Sequence, residues 1–349
     1  MRIRNRSRTL LFVLLPIAFG TAIAFAVRYV GLESVGTVHE QLTVSAETRH
    51  DAAPTYIGAV DVRSQAEEHL QPYALCLTDK QLYVGYVGSG RVDVFDKFFA
   101  YQRTLDLSTG AGSMISGIAA DDTRLYVADY GRGEIRFYSL EGTLEDSYSW
   151  LPGKQDRLKP FGLTLHNGML YVAELQQRQL LVITAVPSGK PTETGELLLR
   201  IPLHDNAPEQ LDFPSSSFVT PDGRLLVSDM TAHRLQVYSC NGRFAGSITE
   251  AGDAALQSPH TLAMDDLPSP KLLARDKEIF DPSGVLCQGR IHMVDREAGE
   301  VVVFNALGEY LFRYGSSELG VPNGMVIDTG QRAVIIADAK YHCLHVYKY

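Results

Sequence analysis

Cysteine is scarce in this chain, and the four present (Cys76, Cys240, Cys287 and Cys343) never fall in a CxxC or CxxCH spacing. That excludes a CxxC-type zinc site and covalent haem attachment through the usual motif. Also missing are a Gly-x-Ser-x-Gly elbow, a phosphate-binding loop and a dinucleotide fingerprint. No serine stands in a triad context, so nucleophilic hydrolysis has no sequence support. Runs of basic residues mixed with aromatics are absent as well. No cofactor motif is present and none is expected.

Charge is unevenly placed. Arg2, Arg4, Arg6 and Arg8 precede an uncharged, mostly apolar run from Leu10 to Val27. As a helix those residues rise about 27 Å, close to the hydrocarbon thickness of a bilayer, about 30 Å. The arginines favour a cytoplasmic N-terminus, which sends the rest of the chain across the membrane. The reading is a signal-anchor over 1–28, a tether over 29–55 and a folded body over 56–349, a single-pass membrane protein with its body in the periplasm. The alternative is cleavage after Ala24-Phe25-Ala26 and secretion to the periplasm. Residues 1–28 hold five arginines and no acid, so of 32 basic and 41 acidic side chains 27 and 41 remain, a formal −14. Such a body repels phosphate backbones, and nucleic acid is not expected as a partner.

The body repeats. A short apolar strand, usually ending in a small residue and an acid, recurs as 82–86, 125–129, 170–174, 225–229, 291–295 and 334–338, ending at Tyr86, Asp129, Glu174, Asp229, Asp295 and Asp338. Upstream, often after proline, lies another apolar strand: Pro72–Leu77, Pro160–Leu165, Pro259–Met264 and Pro322–Ile327. Downstream come alternating strands such as Arg91–Phe95 and Arg234–Tyr238, then turns at Gly142, Gly242 or Gly308. Period-two alternation punctuated by Gly, Asp and Asn is strand-and-turn chemistry. Four strands per unit and six units predict an all-β, six-bladed β-propeller. The sixth unit ends at Tyr349 without an outer strand, and Tyr56–Val62 alternates well enough to supply it. An N-terminal strand closing the last blade is the expected latch, since an open ring exposes strand edges.

These residues resemble NHL repeats, most clearly over Ile115–Tyr138 and Pro322–Tyr347. The resemblance covers about residues 69–349 and implies the fold rather than one activity. Relatives include protein- and RNA-binding scaffolds, a peptide-amidating lyase and many exported bacterial proteins. The lyase resemblance draws attention to His233 and His260, which look similar to two of that family's zinc-binding positions. The third position holds Asn323, and the two histidines fall on adjacent blades, unlike the family's spacing. A catalytic zinc needs three protein ligands and an open position.

Two rings follow from the repeat. Asp129, Glu174, Asp229, Asp295 and Asp338 end the repeated strand and are weak candidates for a hard cation. The same acids also suit accepting bonds from the next turn's N–H groups. Tyr73, Ser116, Phe161, Ser215, His260 and Asn323 lie near the starts of the inner strands and should line the channel mouth. That mixed ring, with His260 alone titrating near neutral pH, suits a small ligand or a partner's side chain. It equally suits simple plugging of the axis, and it offers no nucleophile–base pair.

The long connections Asp265–Gly289 and Ala185–Gly195 fall on one face, because adjacent blade strands run antiparallel. The first holds Ser269-Pro270 ahead of a helix-compatible stretch, with Lys271, Arg275 and Lys277 as candidate docking residues. Cys240 and Cys287 fall on this face too and are a disulfide candidate. The tether approaches the same face. The function expected is a membrane-tethered scaffold that binds a protein partner of the cell envelope through this face. The alternative is a divalent-metal-dependent lyase or lactonase-like hydrolase with its site at the axis.

Overall fold

Six four-stranded antiparallel sheets account for nearly all of the regular structure in a computed structural model that describes residues 52–62, 70–107, 112–149, 157–185, 197–202, 209–239, 241–267 and 289–349. Blades 1 to 5 occupy 71–106, 115–148, 160–201, 214–248 and 259–314, each a meander from the axis outwards. Blade 6 takes three strands from 322–348. Its fourth is Thr55–Asp61, paired antiparallel with Cys343–Lys348 in the register Thr55↔Lys348 to Asp61↔Cys343. The ring therefore closes between its two chain ends, as the alternation of 56–62 predicts. The Tyr56 ring packs 5.2 Å from Tyr347 and 5.7 Å from His345.

Period two explains why the sheets stand radially. Successive side chains on a strand point to opposite faces, so each strand feeds two different cores. Leu125 and Val127 of blade 2 join Val92, Val94 and Ile115, whereas Tyr126 between them joins Leu170 and Leu181 of blade 3. The buried apolar residues fall into six clusters, one at each junction between neighbouring blades. The junction of blades 6 and 1 holds Val62, Leu75, Leu82, Ile335 and Leu344. A unit with apolar side chains on both faces cannot stand alone, so closure is what buries the first and last blades.

The innermost strands are Gln71–Leu77, Ile115–Ala120, Pro160–His166, Pro214–Val219, Pro259–Met264 and Pro322–Asp328. All six carry a register shift near their first residues. A bulge re-aims the side chain at the shift. Here that side chain is Tyr73, Ser116, Phe161, Ser215, His260 or Asn323. Glycine follows at three of these bulges because the next inner strand passes so close. A Cβ on Gly162 would stand 2.2 Å from the Ser215 carbonyl oxygen, and one on Gly324 2.4 Å from that of Tyr73.

Among the described residues no helix is long and apolar enough to cross a membrane. The 1–28 segment and the tether up to residue 51 lie outside them.

Candidate functional site

The bulged residues do not line an open mouth; they close it. All six are buried. Large and small alternate around the axis: Tyr73, Phe161 and His260 come from blades 1, 3 and 5, and Ser116, Ser215 and Asn323 from blades 2, 4 and 6. The three large rings meet edge to face, with centroids 5.9 Å apart for Tyr73 and Phe161, 5.6 Å for Tyr73 and His260, and 6.1 Å for Phe161 and His260. Such T-shaped contacts are the favoured geometry for quadrupolar rings. The small residues tie the blades together. Ser116 Oγ donates to the Pro160 carbonyl at 3.1 Å, Ser215 Oγ to that of Pro259 at 3.2 Å, and Asn323 Oδ1 accepts from Arg296 Nε at 2.8 Å.

Hydrogen bonding assigns the His260 tautomer. Thr261 Oγ1 donates to the Asn323 carbonyl at 2.7 Å, so it accepts at 3.0 Å from Nδ1–H of His260. Nε2 is then the acceptor for the Tyr73 hydroxyl, 3.0 Å away. Burial, with the Arg296 charge adding to it, pushes the imidazole down to about 3. His260 therefore does not titrate near neutral pH, which corrects the expectation from sequence. Burial likewise pushes the Tyr73 phenol well up.

Beyond the plug the axis widens into a funnel of about 320 Å³ that opens on the opposite face. Its wall is the C-terminal half of each inner strand, and none of the residues lining it is charged. Each inner strand has a sheet neighbour on one side only, so backbone N–H and C=O groups supply much of the wall's polarity. Thr164, Ser216, Ser217 and Thr261 add hydroxyls, and Thr164 Oγ1 bridges to the Ser217 carbonyl at 2.7 Å. The Cys76 thiol also lines the wall. Burial pushes it up to about 12 against a backbone hydrogen bond from Ala120, so it stays protonated and a poor nucleophile. Sequence patterns miss this funnel because no charged or repeated polar motif marks its wall.

The acids ending the repeated strand hold backbone. Glu174 accepts from the N–H groups of Lys159, Gln176 and Gln177 at 2.8–3.0 Å. Asp129 accepts from Met114 and Arg132, and Asp295 from Gln257, Ser258 and Ala298. Asp229 takes Asp212, Phe213 and the Arg234 guanidinium, and Asp338 takes Gly320, Val321, Lys340 and Tyr341. Each therefore grips the residue just before an inner strand's first residue and, except for Asp229, also the turn that follows its own strand. In blade 1, where Tyr86 replaces the acid, its hydroxyl donates to Asp93 at 2.8 Å. His233 sits in a left-handed turn (φ 54°), its Nδ1 against the Gln257 carbonyl. Among the described residues no three His, Cys, Asp or Glu side chains gather as a metal-holding group.

Lys271, Arg275, Lys277, Cys240 and Cys287 lie outside the described residues, but the root of the longest connection is clear. Arg290 meets Asp265 Oδ2 at 2.6 Å, His292 Nε2 lies 3.0 Å from the same oxygen, and His292 Nδ1 lies 3.1 Å from the Tyr314 hydroxyl. All four residues are buried. Burial lowers the His292 pKa, and at Asp265 bonds from His292 and Arg290 outweigh burial and lower that one too. A histidine within an otherwise apolar repeated strand was the available signal for this cluster.

No family model matches the chain, and no curated protein matches it. Solved structures do. A catalytically inactive virginiamycin B lyase from Staphylococcus aureus with quinupristin aligns with a TM-score of 0.57 and 12% identity, over 84% of this chain and 98% of that one. The WD40 β-propeller domain of Doa1 aligns at 0.51 and 10%, over 85% and 97%. A chain of the nidogen/laminin complex aligns at 0.50 and 15%, over 73% and 84%. At such identities the likeness is one of fold, which by itself carries no activity.

Proposed function

We propose that this chain is a membrane-tethered, extracytoplasmic propeller that binds a protein partner of the cell envelope through the face on which the funnel opens. One observation carries the reading: the polar side chains at the axis are already engaged with one another, and the open, uncharged funnel shares its face with both long connections. Those connections begin at Asp265 and Ala185, on the rim of that face, and the strand Thr55–Asp61 starts there too. A wall of neutral polar backbone suits a partner's uncharged side chain better than it suits bond-breaking chemistry, which needs a poised acid, base or metal.

Photo-cross-linking in the native envelope tests the reading. A photoreactive residue replacing Leu307, exposed on the funnel face, should capture a discrete partner, whereas one replacing Tyr341, exposed on the plugged face, should not. Deleting 271–282 should abolish capture without changing thermal unfolding. Capture from Tyr341, or capture that survives the deletion, would overturn the assignment of the face.

The second reading, a divalent-metal-dependent lyase or hydrolase with an axial site, draws support from the fold shared with virginiamycin B lyase. Stoichiometric metal retained by the purified full chain would favour it over the scaffold.

A further inference from the structure

The turn at 97–100 joins the third and fourth strands of blade 1 and reads Lys-Phe-Phe-Ala. Phe98 is the most exposed large apolar side chain among the described residues, at 54%. Its exposure is built in. Asp96 Oδ1 accepts from the N–H groups of Phe98 and Ala100 at 2.8 and 2.9 Å, and Phe99 takes a left-handed conformation (φ 63°). The closed turn turns Phe99 towards the protein, leaving Phe98 outside.

This tip abuts the place where the chain from the N-terminus joins the propeller. Phe99 shares a small pocket of about 60 Å³ with Ile57, Gly58, Ala59 and Val60 of the latching strand, and Ile57 is 41% exposed. Gln331 Nε2 donates to the Lys97 carbonyl at 2.9 Å, which ties the tip across the seam to blade 6. Beside the apolar pair, Lys97 meets Asp328 at 3.6 Å and Lys348 Nζ donates to the Gln331 carbonyl. An exposed aromatic side chain beside an exposed aliphatic one, with lysines at their base, suits a bilayer interface, where the apolar groups enter the headgroup level.

We propose that Phe98 and Ile57 dip into the bilayer surface, so that blades 6 and 1 rest on the membrane while the rims of blades 3 to 5 stay free for the partner. The proposal rests on the tethered reading above. From Arg28 to Ala52 even a fully extended chain reaches at most about 85 Å. The patch is thus always near the bilayer, and a contact too weak to hold a free protein is sufficient.

The test uses the full chain with its single tryptophan changed, Trp150→Phe, and a reporter at Phe98→Trp. It is reconstituted in phosphatidylcholine–phosphatidylglycerol vesicles with or without brominated acyl chains. The expected result is a blue-shifted emission that brominated lipid quenches, while a second variant with Tyr341→Trp on the opposite face is neither shifted nor quenched. Equal quenching at the two positions, or none at Phe98→Trp, overturns the lipid contact. Flotation separates the two readings. A chain that fails to float with vesicles loses both the tether and the contact, whereas one that floats with Phe98→Trp unquenched loses the contact alone. A Phe98 reporter that shifts only when envelope proteins are added also overturns it and points to a protein contact.

Discussion

The Tyr73 hydroxyl of blade 1 meets His260 Nε2 of blade 5 at 3.0 Å, a polar link between two non-adjacent blades across the plugged end of the axis. The bond is available only while the imidazole is neutral, because a protonated Nε2 has no lone pair to offer. Burial keeps it neutral, and the nearby Arg296 reinforces that.

Acid should therefore loosen the plug. The folded His260 has its pKa at about 3 against 6.5 for the free group. The unfolded chain takes up this proton first, so the histidine's contribution is complete above about pH 6.5 and is lost as pH falls towards about 3. The slope reaches about 1.4 kcal/mol per pH unit. His260→Gln should flatten it, leaving the contribution of the same sign from His292. Tyr73→Phe, which strands the buried Nε2, should cost about 1–3 kcal/mol at neutral pH. Urea unfolding at several pH values measures both, and an unchanged slope in His260→Gln would show that the ring is solvated.

Much of this architecture was legible before any coordinates. Strand ends such as Leu125-Tyr126-Val127-Ala128-Asp129 repeat closely enough to count blades, and a missing outer strand beside Tyr349 pointed to Tyr56–Val62 as the latch. The positions around the axis were legible too, but not their packing. Alternation of large and small emerges only when residues 43 to 63 apart in sequence are laid side by side, and the pKa of His260 depends on burial that no local pattern records. The funnel was hidden because its wall carries no charged residue and no motif. Asp265 and Arg290 are separated by the longest connection in the body, so their pairing had no local signature at all.

The close approach of inner strands makes a paired glycine test. Gly162→Ala should be destabilising by about 1–3 kcal/mol or more, since its Cβ would press on the Ser215 carbonyl. Gly246→Ala, in an outer strand with nothing near its Cβ, should be neutral or stabilising by about 0.5–1 kcal/mol. Thermal unfolding of the two variants side by side checks the axial packing. Equal effects would mean that the blades stand further apart.

Closure predicts a different failure. Replacing 55–61 by a Gly-Ser stretch of equal length keeps the tether but leaves Cys343–Lys348 as an open edge. The expected outcome is a lower Tm and association through that edge, seen by calorimetry and light scattering. An unchanged Tm and a monodisperse chain would mean that the ring does not need its latch.

At the root of the long connection, Asp265 balances the fully buried Arg290. Asp265→Asn should cost about 3–5 kcal/mol, because it removes the carboxylate that the buried Arg290 guanidinium meets. Adding Arg290→Met should restore part of the loss, since an apolar replacement removes the buried positive charge as well. If the double variant is no better than the single one, the cluster acts through its shape rather than its charge.

The ring of strand-end acids is decided by cation titration. Burial alone would raise the Asp338 carboxyl, but His345, 3.6 Å away, and the N–H groups of Gly320, Val321 and Tyr341 outweigh it and hold the group down to about 2. Its contribution to stability is thus complete above 3.8 and fades as pH falls towards about 2. Oxygens committed to backbone donors have little left for a metal, because coordination would have to displace those N–H groups. Calcium or zinc at millimolar concentration should leave the Tm of the full chain where it was, and Asp338→Asn should lower it by an amount equivalent to about 1–3 kcal/mol. A Tm that rises with calcium in the natural chain, and no longer does so in Asp338→Asn, would make these carboxylates a cation site and favour the metal-dependent reading over the scaffold.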